Sequence, residues 1–102
     1  MNSKSAREGM LSQVIDAVNR LETEGHVVGI TITDESKVMF AVSFGVQKKS
    51  ILLFFEVRVF TVSEDYVLTV HDDMISRRVR VCVSPEEVVD NVKFFLRERL
   101  GG

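Results

Sequence analysis

Cysteine, proline and tryptophan are scarce in this chain. Its 102 residues include one cysteine, one proline and no tryptophan. A lone cysteine, Cys82, excludes an internal disulfide and is typical of proteins kept in a reducing compartment. Scarce proline and scattered serine argue against a disordered linker. We therefore expect residues 1–102 to form a single domain in the cytosol.

Long apolar runs and a basic excess are also missing. No stretch approaches the roughly 20 apolar residues of a membrane-spanning helix. The N-terminal residues lack the apolar core of a signal peptide. The chain has 13 basic and 15 acidic residues, a net charge of −2, whereas proteins that grip duplex DNA usually carry a basic excess. These absences argue against a membrane protein and against a duplex-DNA-binding protein.

The longest strand-forming stretch is residues 51–62, Ile-Leu-Leu-Phe-Phe-Glu-Val-Arg-Val-Phe-Thr-Val. Aromatic and β-branched side chains dominate it, as in strands. Its first half is apolar on both faces, and from Glu56 onward apolar and polar residues alternate. This pattern predicts the middle strand of a sheet, with one face buried and the other partly open.

Two amphipathic helices flank the strand region. The first has Ser5 and Glu8 at the spacing of a capping box, and Gly25 at the position of a left-handed C-terminal cap. The second has Ser84 as its N-cap and Pro85 as its first residue. The predicted buried stripes are Met10, Leu11, Val14, Ile15, Val18 and Leu21 in the first helix, and Val88, Val89, Val92, Phe95, Leu96 and Leu100 in the second.

The predicted fold class is α+β, in the order α-β-β-β-β-β-α. Short connections between strands favour antiparallel neighbours, so we expect a five-stranded antiparallel meander in a two-layer sandwich, with the N- and C-terminal helices packed on one face. The predicted helices cover residues 6–23 and 85–100, and the predicted strands cover residues 26–33, 38–44, 51–62, 66–71 and 77–83.

The face of this sheet away from the helices is predicted to be too apolar for a plain solvent face. No third helix is present to cover it, and exposed apolar patches usually mark contact surfaces. The expected interaction surface consists of Met39, Leu52, Phe54, Arg58 and Phe60. We expect a homodimer through this face or through an edge strand. Alternative occupants are a heterologous protein or peptide, nucleic acid, a small ligand, or loops of the same chain.

A second hypothesis is single-stranded nucleic-acid binding. The strand 77–83 is predicted to point Val79, Val81 and Val83 inward, and to point Arg78, Arg80 and Cys82 outward. A sheet face that combines arginines with aromatic rings can bind backbone phosphates and stack bases. The contact residues would be Lys48, Lys49, Arg58, Arg78 and Arg80, with Phe54 and Phe60 as stacking surfaces.

Catalytic or metal-binding chemistry has little support in the sequence. His71-Asp72-Asp73 is a compact acid–base cluster, but aspartates are also favoured at the start of a loop. Cys82 lies within a valine-rich strand rather than at a site that stabilises a thiolate. We therefore expect a non-catalytic interaction module without a cofactor or a metal.

In outline, the small acidic helix–sheet–helix plan is similar to dimeric secretion chaperones, although it lacks a helix between the third and fourth strands. The segment from Phe40 to Leu100 is similar in outline to single-strand-binding sheet proteins. Neither resemblance supplies a motif whose residues can be carried over, and a likeness of layout does not establish function.

Overall fold

The computed structural model describes residues 3–35, 38–71 and 77–101. A helix, five strands and a second helix follow one another in the predicted order. Neither helix is long and apolar enough to cross a bilayer within the described segments. The elements are α1 (Ser3–Arg20) followed by a 3-10 turn (Leu21–Thr23), β1 (His26–Glu35), β2 (Val38–Lys48), β3 (Ile51–Phe60), β4 (Tyr66–His71), β5 (Arg77–Cys82) and α2 (Pro85–Arg99).

The five strands form one antiparallel sheet in the order β1-β2-β3-β4-β5, so the predicted meander is confirmed. Helix α1 contacts β2 and α2, and α2 also contacts β3, β4 and β5. Both helices cover the same face of the sheet, as predicted. The described residues therefore form two layers, and none of their helices lies on the second face of the sheet.

The hydrophobic core lies between the helices and the sheet. The alternating residues of β2 and β3 supply its largest part, and the Phe44 and Phe55 rings stack with centroids 5.4 Å apart. The fully buried large side chains include Phe40, Phe44, Phe55, Phe95, Leu21, Leu68, Leu96, Val14, Val18, Val42, Val46 and Val57.

The start of α2 agrees with the sequence prediction, whereas the start of α1 does not. Ser84 is extended, with φ −154° and ψ 160°, and its hydroxyl accepts a hydrogen bond from the Glu87 amide at 3.2 Å. Helix α1 already includes Ser3. The capping box predicted from Ser5 and Glu8 is therefore wrong, because Ser5 lies inside the helix rather than at its boundary.

Gly25 is needed for space rather than for a left-handed cap. It is not among the glycines with positive φ in the described residues, so the predicted left-handed cap is wrong. A Cβ at Gly25 would lie 2.7 Å from the Gln47 carbonyl oxygen, closer than packed atoms approach. Gly29, with φ +63°, instead occupies the bulge where β1 shifts register between Val28 and Thr31.

The hairpin between β2 and β3 is tighter than predicted. Gly45 pairs with Phe54 inside the ladder, so β2 continues to Lys48 instead of ending at residue 44. Lys48 pairs with Ile51, and the turn contains only Lys49, with φ 57°, and Ser50. At its other end β3 stops at Phe60 rather than at residue 62. The prediction fails because glycine is typical of loops, whereas Gly45 lies within the ladder here.

The predicted facing of β5 is wrong. Arg78 lies opposite Val70, Arg80 opposite Leu68 and Cys82 opposite Tyr66, all on the helix side of the sheet. The valines of this segment point the other way: Val79, Val81 and Val83 are 53%, 62% and 76% exposed. The prediction assumed that valines must point inward, but at an edge strand the long arginine stems can cover a core ring instead.

Candidate interaction surface

We call the sheet face turned away from both helices the outer face. Its residues lie in cross-strand rows, because partners in an antiparallel ladder point to the same side. One row is Val28, Gly45, Phe54, His71 and Arg77; the next is Thr31, Ser43, Glu56, Thr69 and Val79; the third is Thr33, Ala41, Arg58, Val67 and Val81. Leu52 and Phe60 extend this face along β3.

Two of the predicted contact residues are well exposed on the outer face. Leu52 is 43% exposed and Phe54 is 52% exposed. Both reach over Gly45, where an added Cβ would lie 3.2 Å from Phe54 Cε1 and 3.3 Å from Leu52 Cδ1. The absence of a side chain at Gly45 therefore leaves space for the large apolar groups of the neighbouring strand.

A shallow depression of about 160 Å³ opens beside this apolar group. Its floor is formed where β1, β2 and β3 run side by side, and one polar side chain from each of β2, β3 and β4 reaches its rim. The lining residues are Val28, Gly29, Ser43, Phe44, Gly45, Phe54, Phe55, Glu56 and His71. Such a depression is small for a ligand site, since ligand pockets usually enclose about 300 Å³ or more. It suits the insertion of a single side chain.

An ion pair lies near the middle of the outer face. Arg58 Nε and Glu56 Oε1 are 3.1 Å apart on alternate residues of β3. The arginine side chain is 39% exposed and the glutamate side chain 21% exposed. Ala41 and Thr69, their neighbours on β2 and β4, are buried although no helix covers this face. The long charged side chains therefore help to cover the centre of the sheet.

A second apolar group, on β4 and β5, was missed by the sequence analysis. Val79 and Val81 are exposed on the outer face, and Val67 beside them is half-buried. The predicted ends of β4 and β5 are enough to place these valines on the outer face. Pairing the predicted end of β4, His71, with the predicted start of β5, Arg77, places Val79 opposite Thr69.

Two residues of the predicted surface are less accessible. Met39 is half-buried and packs against the hydrophobic core, at the point where β2 shifts its register against β3. Its carbonyl accepts a hydrogen bond from Arg7 Nε of α1 at 3.2 Å. Phe60 is half-buried at the end of β3, opposite Val38. Of the apolar residues predicted for this surface, Leu52 and Phe54 are the most exposed.

The basic residues predicted to bind nucleic acid do not share one surface. Lys48 and Lys49 lie at the β2–β3 turn, about 23 Å along the strand from Arg58. Arg58 is on the outer face, whereas Arg78 and Arg80 are on the helix side of β5. The thickness of the sheet therefore separates the arginines that the hypothesis placed together.

Arg78 and Arg80 both lie against α2. Their guanidinium carbons are 4.6 Å and 5.4 Å from the centre of the Phe95 ring, within cation–π distance. Arg78 Nη1 also forms an ion pair with Glu98 Oε1 at 2.5 Å. These contacts fasten the end of α2 to β5, which is a structural role for Arg78.

Cys82 is fully buried beneath α2. Burial, reinforced by nearby Glu87 and opposed by Asn91 and Arg80, raises the pKa of its thiol from 9.0 to about 11. The thiol is therefore protonated and inaccessible near neutral pH, which does not suit a nucleophile. His71 is half-buried on the outer face beside Phe54, and Asp72 and Asp73 lie outside the described residues.

No group of three histidine, cysteine or acidic residues within residues 3–35, 38–71 and 77–101 could hold a metal ion. Comparison with protein-family models, with curated proteins and with solved structures returns no match. Function must therefore be argued from the surface itself.

Proposed function

We propose that this protein is a non-catalytic interaction module whose outer face binds the outer face of a second copy. The observation that carries the proposal is the exposure of Leu52, Phe54, Val79 and Val81 on a sheet face that no described helix or second sheet covers. Large exposed apolar side chains are common singly, but a group of them on one flat face is typical of an interaction site.

The size of the outer face fits a homodimer. Its five strands contain between six and eleven residues each. With about 3.3 Å per residue and about 4.8 Å between strands, the face covers roughly 700 Å². A stable interface of ordinary size buries about 800 Å² on each partner. A face-to-face pair would therefore use the whole of this surface and leave the helices in solvent.

The charges on the outer face also favour a second copy. In a two-fold interface each contact between two different residues occurs twice. Glu56 and Arg58 are neighbours near the middle of the face. A two-fold axis passing between them would place Glu56 of each copy next to Arg58 of the other. Adjacent charges of opposite sign thus make the face complementary to itself.

The first prediction concerns the oligomeric state. We expect a dimer by light scattering after size-exclusion chromatography at about 50 μM, since standard interfaces hold in the micromolar range. Phe54→Ser should yield a monomer, because it places a polar group at the centre of the apolar contact. Phe94→Ser is the matched control: Phe94 is 50% exposed, nearly the same as Phe54, but lies on α2.

A monomeric wild-type protein at this concentration would contradict the proposal. Dissociation by Phe94→Ser with retention of the dimer by Phe54→Ser would assign the contact to the helix layer and would also contradict it. Circular dichroism of both variants verifies that each remains folded, so that the loss of a dimer is not mistaken for unfolding.

A further inference from the structure

Among the described residues, the edge of β5 that points away from β4 is open. The sheet order places β5 at the end of the sheet, and no described strand pairs with its second edge. Arg80 Nη1 donates a hydrogen bond to the Val79 carbonyl at 3.3 Å, an exposed contact. A side chain thus satisfies a main-chain acceptor that a neighbouring strand could bind instead. Open edges of this kind bind extended peptides by adding a strand.

This edge has a strong charge pattern. Three of the six residues of β5 are arginines, and none is acidic. Arg78 pairs with Glu98, but Arg80 forms no ion pair within the described part of the chain and is exposed. Arg77 adds a second exposed positive charge at the start of the strand. The edge therefore favours acidic side chains on the adjacent strand.

The two sides of β5 differ in chemistry. On the helix side Arg80 lies over Phe95, and the Phe94 ring beside Phe95 is half exposed. On the outer side Val79 and Val81 are exposed. Since side chains of an added strand alternate between the two sides, acidic residues would lie beside Arg80 and β-branched residues beside the valines.

A second copy of β5 is a poor occupant of this edge. Antiparallel pairing of β5 with itself, centred on Val79, places Arg78 opposite Arg80. Centring on Arg80 places Arg80 opposite Arg80. Like charges directly opposite one another destabilise a strand pair. The charges that disfavour the second copy in these two registers are the ones that attract an acidic strand.

We infer that the open edge of β5 binds an extended peptide in which acidic and β-branched residues alternate. The bound peptide forms a sixth strand, with its main chain hydrogen-bonded to β5 and its acidic side chains beside Arg80. The main-chain groups of this edge lie outside the proposed dimer contact, although the two sites share Val79 and Val81.

The test uses a fluorescein-labelled peptide, Gly-Val-Glu-Val-Glu-Val-Gly, and fluorescence polarisation with the full chain. We expect saturable binding below about 1 mM. Arg80→Glu should weaken it about ten-fold, because attraction is replaced by repulsion. Lys48→Ala, which also removes a positive charge but from β2 on the far side of β3, should change it less than about two-fold. In NMR spectra, the changes in amide chemical shift on adding the peptide should be largest in β5. The other edge strand, β1, serves as the internal comparison.

Two further peptides separate main-chain pairing from plain charge attraction. A peptide with lysine in place of glutamate should bind at least about ten-fold more weakly. Replacement of the central valine by proline should also weaken binding, because proline cannot donate to a ladder. Any of three results would overturn the inference: no saturable binding, equal binding of either control peptide, or changes in amide chemical shift concentrated in β1. Phe54→Ser should retain peptide binding. A monomeric wild-type protein would therefore contradict the dimer proposal without contradicting this inference.

Discussion

Cys82 shows how one residue can be structural in spite of its reactive chemistry. Its Sγ lies 3.6 Å from Asn91 Nδ2 under α2, and its side chain is fully buried. Burial, reinforced by Glu87, raises the thiol pKa to about 11. The folded state therefore holds this proton more tightly than the unfolded state does.

This linkage predicts a pH-dependent stability. Because the folded pKa is raised above the unfolded value of 9.0, the contribution of the thiol is complete below pH 9 and is lost as the pH rises through about 11. We expect the free energy of unfolding of the wild type, relative to Cys82→Ala, to be larger near pH 8 than near pH 10.5. Urea titrations of both proteins at the two pH values measure it.

The comparison with Cys82→Ala cancels the contributions of other groups that titrate in the same pH range. Burial, with smaller contributions from Glu64 and Glu86, also raises the pKa of Tyr66, but Tyr66 is present in both proteins. A stability difference that is the same at both pH values would show that the thiol pKa is not perturbed.

At the scale of elements, α2 depends on its first turn. The Ser84 hydroxyl accepts from the Glu87 amide, and Glu87 Oε2 accepts from the Val83 amide at 3.4 Å. We expect Ser84→Ala to lower the free energy of unfolding by about 1 kcal/mol, since it leaves an amide of the first turn without its acceptor. Ser84→Asp retains an acceptor and should recover most of the loss. Thermal and urea unfolding measure both, and equal losses in the two variants would contradict the capping role.

The sequence predicts the elements of this fold better than it predicts which way their side chains point. The helical period predicts both helices and the Ser84 cap predicts the start of α2, and the alternation through Val57 and Val59 orients β3 correctly. Gly45 was interpreted as a loop residue because glycine is uncommon in strands, yet here it makes room for Phe54. Such a close contact depends on the neighbouring strand and is not visible in a local pattern.

The facing of β5 failed for a similar reason. Hydrophobicity alone predicts that its valines point inward, but strand register depends on pairing with β4. Arg80 lies opposite Leu68 and covers Phe95, which no local pattern in β5 reveals. The error matters for function, because the prediction places Arg78 and Arg80 on the outer face and removes Val79 and Val81 from it.

For the whole molecule, the two sheet faces have different roles. The helix face contains the core, in which Phe40, Val42 and Val57 are completely buried. The outer face has exposed apolar side chains around the Glu56–Arg58 pair, and no described helix or second sheet covers it. In the proposed dimer, the core and the contact between copies would lie on opposite faces of the sheet, so a substitution on the outer face such as Phe54→Ser should leave the core intact.

A face-to-face dimer predicts that the thermal stability of the wild type depends on its concentration, because only the folded chain would associate. If folding and association are linked, mass action raises the melting temperature with concentration, on the order of 5 °C for a hundredfold increase in a protein of this size. In Phe54→Ser the dependence should disappear, whereas in Phe94→Ser it should persist, because Phe94 lies on the helix layer. Differential scanning fluorimetry over that range measures it. A wild-type melting temperature that does not change with concentration would show that the outer face has no second copy upon it, however apolar it is.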